Sequence, residues 1–190
     1  MSVVRTVAPA LLAVSIESVK QHVRESGNES DTEIERAIRA ATAYAEKCQW
    51  CQLAAATFVE RWDSFPAGDI VPTKQPLVSV TSLEYVDAAG VTQTLTVTTD
   101  YVVDAYSRPG RIVLAYGQSW PSTRGYIDDV VLTYVAGYST EASMPDEVKH
   151  AIYLLCGHWL RNKEATGDVG AEIPFGVKAL LGLDSFHGFF

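Results

Sequence analysis

Apolar residues recur at intervals of three and four between Ser143 and Ala165, where Val148, Ala151, Ile152, Leu155, Cys156, Trp159 and Leu160 line one side of a helix. Ser143 is placed to cap that helix, with Asp146 three residues on, Pro145 in the first turn and Lys163 near the C-terminal end. Two earlier segments share the helical period. Ser15 precedes a short helix with Ile16, Val19 and Val23 on one face, closed by Gly27-Asn28. Ser30 and Glu33 stand at capping-box spacing ahead of a long, alanine-rich helix whose stripe is Ile34, Ala37, Ile38, Ala41, Ala45 and Cys48. Small residues along that stripe allow close approach, which predicts packing on the Ser143–Ala165 helix rather than on a sheet. Residues 1–14 carry little periodicity.

From Thr57 the period falls to two, with Phe58, Glu60 and Trp62 on one side and Thr57, Val59, Arg61 and Asp63 on the other. Strands are predicted there and at Leu77–Asp87, Val91–Leu95, Tyr101–Asp104, Arg111–Ala115 and Asp129–Tyr134, broken by Ala88-Ala89-Gly90, Pro109-Gly110 and Pro121-Ser122. Their close spacing predicts hairpins and an antiparallel sheet. Past the Gly167–Gly170 break, Val177, Leu180 and Leu181 mark a short last helix. The expected fold class is α+β: a small core of about four helices, residues 15–52 and 143–182, with a large antiparallel β insertion, residues 53–138, between the second and third. Residues 183–190 form a tail whose Phe186, Phe189 and Phe190 need a surface, either this chain's own core or another subunit.

Composition fits that reading. At 190 residues and 47% hydrophobic, the chain can bury a substantial core, and no apolar run reaches the roughly 20 residues of a membrane helix. A formal charge of −8 argues against a surface that grips phosphates, yet suits a surface past which DNA slides without adhering. Val3 to Val14 is apolar but short for a secretion signal, and an odd set of three cysteines fits a reducing cytoplasm.

The candidate chemistry reduces to ordinary structure. Cys48-x-x-Cys51 lacks the second ligand pair or the βαβ setting that zinc or redox work requires, so free thiols are expected. His150 and His158 are two turns apart, too far to grip one metal ion, and His22 and His187 have no acid or nucleophile at recognisable spacing. Asp128 and Asp129 face opposite sides of a strand, which predicts a solvated strand entry. Trp120, with Tyr101, Tyr106, Tyr116, Tyr126, Tyr134 and Tyr138, is read as packing in preference to a ligand platform. No nucleophile-elbow, zinc-protease or phosphate-loop pattern occurs, so no enzyme, cofactor or metal is expected.

The order of elements, together with Glu33–Trp50, Pro76–Leu95, Pro109–Pro121, Val131–Tyr138, Pro145–Ala165 and Ile173–Leu181, resembles the head-tail connector, or adaptor, proteins of tailed bacteriophages and prophages. The resemblance runs from about Ser15 to Leu181 and implies a single connector domain across residues 1–190. It implies a structural virion protein, assembled in the host cytoplasm, of which about twelve copies form a ring under the portal. That ring extends a channel through which DNA passes without specific binding, and it offers the attachment site for a tail-completion, stopper or tail protein. On this resemblance Ile173, Phe175, Val177, Leu180 and Leu181, extended by Phe186, Phe189 and Phe190, dock on the portal, while Ile34, Ile38, Ala41, Ile152, Leu155 and Trp159 pack the helices that build the ring. The shorter, nearly all-helical connectors lack the β insertion. The alternatives are a tail-completion protein or a ligand-binding β module centred on Trp120.

Overall fold

The computed structural model describes residues 2–162 and 175–182. The chain is α+β, and its element order is β1 (Ser2–Val7), α1 (Ile16–Val23), α2 (Asp31–Gln49), β2 (Ala56–Trp62), β3 (Leu77–Val86), β4 (Thr92–Leu95), β5 (Tyr101–Asp104), β6 (Arg111–Leu114), β7 (Val130–Ala136), α3 (Asp146–Arg161) and α4 (Phe175–Gly182). Strands β2 to β7 lie between α2 and α3, as the change of period predicts. Two compact units result: a helical unit of residues 11–54, 138–162 and 175–182, and a β unit of residues 2–10 and 55–137.

In the helical unit the apolar stripes meet. Ile34, Ile38 and Ala41 of α2 and Ile152 and Leu155 of α3 are fully buried in one cluster, with Trp159 partly buried at its margin. Each of the buried isoleucines and Leu155 contributes about 1.5–3 kcal/mol on leaving water. The alanines let α2 run close along α3, the partner that its stripe predicts. Helix α1 starts as expected, the Ser15 hydroxyl accepting the Ser18 N–H at 3.2 Å. Its end differs: Arg24, not a glycine, takes the left-handed conformation at φ 60° and returns its N–H to the Lys20 carbonyl. Trp50 closes α2 in the same way at φ 56°.

Two predicted caps are corrected. Ser30 precedes α2 without a side-chain hydrogen bond, so the capping box does not form, although the backbone N–H groups of Glu33 and Ile34 reach the Ser30 carbonyl. Ser143 does not cap α3. It closes a 3-10 turn, Glu141–Ser143, and Pro145 takes the N-cap position, because the Ser143 hydroxyl is engaged with Thr140 across that turn. Lys163 lies outside the described residues.

The β unit is an antiparallel five-stranded sheet in the order β1-β2-β7-β3-β4, with a separate β5-β6 hairpin. Alternation orders it: Ala56, Phe58 and Glu60 of β2 and Val130, Leu132, Tyr134 and Ala136 of β7 face inward. Strand β1 was not foreseen in the aperiodic first residues. Five of its six side chains are exposed, so the one-sided apolar pattern by which a strand is recognised never develops.

Candidate assembly surfaces

In the short helix α4, Val177 is fully buried and Leu181 is 2% exposed, both within the same cluster as α2 and α3. The buried Gln49 side chain fastens the helix end by donating to the Leu181 carbonyl at 3.3 Å. Val177 and Leu181 are therefore occupied inside this chain, which removes them from the set of residues free to dock. Leu180 is half-buried, and exposed Lys178 and Ala179 flank it. The Phe175 side chain, Ile173, Phe186, Phe189 and Phe190 lie outside the described residues.

A groove of about 300 Å³ crosses α1 and α3, lined by His22, Val23, Leu154, Gly157, His158 and Arg161 among others. The His22 ring stacks on Tyr153 at 5.7 Å and meets His150 edge-on at 5.9 Å. Partial burial, then the charges of His150 and Arg161, lower the His22 pKa. Beneath this pair Glu141 joins two elements, accepting the Ser15 N–H at 2.9 Å and the Tyr153 hydroxyl at 2.8 Å. Burial pushes the Glu141 carboxyl up, but those hydrogen bonds outweigh it and hold the group below its ordinary value.

Cys51 and Cys156 are buried, Cys48 is half-buried, and none of the three is in a disulfide; the Cys51 thiol donates to Gln49 Oε1 at 3.6 Å. Burial raises the Cys156 thiol to about 12, far from the reactive range. Among the described residues no group of three or more potential metal ligands converges.

The β unit holds two polar knots in its interior. The fully buried Glu60 carboxylate accepts the Thr73 N–H and hydroxyl at 3.0 and 2.6 Å and the Tyr134 hydroxyl at 3.0 Å. Burial and the neighbouring Glu60 charge drive the Tyr134 phenol upward, so it remains a donor. The buried Gln75 amide spans two loops, donating to the Pro72 and Gly110 carbonyls and accepting from Leu77 and Gly110. Alternation indicates that position 60 faces inward, but nothing in the spacing marks Thr73 and Tyr134 as its partners.

Asp129 corrects the expectation of a solvated strand entry. It is fully buried, paired with Arg124 at 2.8 Å, and accepts the Tyr126 N–H at 2.6 Å. Burial raises its carboxyl, and the Tyr126 and Arg124 contacts more than reverse this. Asp128, at φ 58°, turns away and donates its N–H to Asp63. The tight turn re-aims neighbours that a regular strand would place on opposite faces.

Among the aromatics, Tyr101 and Tyr134 are buried, and Trp120 stacks on Phe65 at 4.9 Å with its indole N–H on the Gly68 carbonyl. These pack, as expected. Tyr106, Tyr116 and Tyr126 do not: they are 99%, 105% and 65% exposed, the first in the β5–β6 loop and the other two in the β6–β7 connection.

No protein-family model and no curated protein matches the chain. Solved structures do. One similar chain belongs to the neck of an empty GTA particle computed with C6 symmetry, with TM-score 0.75 and 25% identity over 97% of this chain and 95% of that one. Another belongs to the virion of a native gene transfer agent (GTA) particle, with TM-score 0.77 and 22% identity over 97% and 95%. A third belongs to the neck of a native GTA particle computed with C12 symmetry, with TM-score 0.73 and 22% identity over the same shares. The likeness spans helices and β insertion together, so this chain carries, along nearly its whole length, the fold of a chain found in the neck of a phage-like particle.

Proposed function

We propose that this chain is a non-enzymatic structural component of the neck of a phage-like particle, a connector that forms a ring under the portal, extends the DNA channel and presents the attachment site for the tail. The observation that carries this is the end-to-end likeness at 25% identity to a chain of a GTA neck. The C12 symmetry of another neck containing such a fold favours a ring of about twelve copies. The formal charge of −8 favours passage of DNA over capture.

Portal docking is assigned to Ile173, Phe175, Leu180, Phe186, Phe189 and Phe190. With Val177 and Leu181 inside the helical core, the contact rests on the segments flanking α4 and on its Leu180 face. A few large apolar side chains suffice to dominate such a contact.

The test is negative-stain imaging of portal rings from the same genome, with and without the protein. An added disc on the narrow end of the portal is the expected result. An unchanged portal at saturating protein, with no co-sedimentation, overturns the proposal.

A further inference from the structure

Among the described residues the five-stranded sheet ends in two edges without a further strand, β1 on one side and β4 on the other. Strand β1 reads Ser-Val-Val-Arg-Thr-Val, rich in β-branched residues, without proline, with Val4 and Val7 at 51% and 57% exposed. Among the described residues it is paired only through β2. Such an edge is a template for another strand, and natural sheets blunt it with prolines, several charges or a covering element. Within the strand the blunting devices are one charge, Arg5, and a register shift between Arg5 and Val7, which leave Ser2 to Arg5 in regular register and open to a further strand.

The opposite edge complements it. Thr92, Gln93 and Thr94 of β4 are exposed, and an aspartate stands at each end of the strand. Asp87 accepts the Val91 and Ala89 N–H groups, and Asp100 accepts the Thr96 N–H at 2.7 Å. A strand bearing one cation thus faces, across copies, an edge flanked by two anions. A cyclic assembly repeats one head-to-tail contact between two different patches, and opposite edges of one sheet supply such a pair.

From these edges we infer that β1 of one copy adds to the outer edge of β4 of the next, joining the sheets of neighbouring copies by main-chain hydrogen bonds, with Arg5 drawn toward Asp87 and Asp100. The inference rests on the ring assembly proposed above. Addition of an extended strand to an exposed edge takes its affinity from the backbone, so a four-residue strand as polar as Thr-Gln-Thr-Leu is an adequate acceptor.

The test places a photo-crosslinking amino acid at Val4 in the full chain and irradiates the protein bound to portal rings. Covalent ladders with Val4 linked to peptides containing Thr92–Leu95 are expected. Arg5→Glu, exposed and outside both cores, should keep the melting temperature while lowering ring occupancy by roughly threefold or more. Ring formation with links from Val4 only to other surfaces, or full occupancy by the Arg5→Glu protein, overturns the edge pairing and leaves the neck reading intact. Absence of any ring with the unsubstituted protein overturns both.

Discussion

At the scale of single residues, the buried polar groups of the β unit carry the sharpest consequences. Tyr134 donates to Glu60 and accepts the Lys74 N–H at 3.1 Å, so Tyr134→Phe strips one buried partner from each. The expected loss is about 1–3 kcal/mol in urea unfolding, because the fully buried Glu60 carboxylate loses one of its donors. Loss below the resolution of that measurement would show that the hydroxyl is dispensable. Gly110 tolerates no side chain: a Cβ there would stand 2.6 Å from Leu77 Cβ and 3.3 Å from the Asp104 carbonyl. Gly110→Ala should cost about 1–3 kcal/mol as packed neighbours shift, read as a lowered melting temperature. Trp120→Ala tests the packing role directly. Removing the stack on Phe65 should lower stability by about 2 kcal/mol, less than for a wholly enclosed tryptophan.

Among the elements, α1 is the most dependent on chemistry outside itself. It has eight residues, too few to be stable alone, and one carboxylate, Glu141, ties its cap to Tyr153 on α3. The folded state holds this carboxyl below its ordinary value, so the stability it contributes is present above the unfolded value of about 4.3 and lost as pH falls through the lower folded value. Glu141→Gln should therefore flatten the fall of melting temperature below about pH 5. An acid profile identical to that of the unsubstituted protein would exclude the role. His22 acts in the same direction at higher pH. Its pKa is lowered in the folded chain, so protonation opposes folding as pH falls below about 6.5, an effect kept small by its exposure.

For the whole molecule, burial of α4 changes how the docking proposal is tested. Deleting residues 173–190 would remove Val177 and Leu181 from the helical core along with any docking segment. Truncation after Gly182 spares that core. It should leave the melting temperature within a few degrees while reducing incorporation into particles, as counted by immunoblot of purified virions. Normal incorporation of this truncated chain would remove Phe186, Phe189 and Phe190 from the portal contact.

Local periodicity, by itself, determined the helices, the predicted β insertion and its antiparallel pairing. Each depends on neighbours within a few positions: stripes at three and four residues, alternation at two, and glycine, proline or asparagine at the turns. It also placed Ile34, Ile38, Ile152 and Leu155 in one core, since stripes of that width have no stable alternative to burial. Only tertiary structure decided what depends on distant partners. Strand β1 exists because β2 offers it an edge, not because of its own apolar pattern. Glu60 is buried because Thr73 and Tyr134 converge on it, and Asp129 because Arg124 does. Val177 and Leu181 read as a docking stripe until α2 and α3 claim them, because an apolar face has the same sequence whether it closes its own core or waits for a partner.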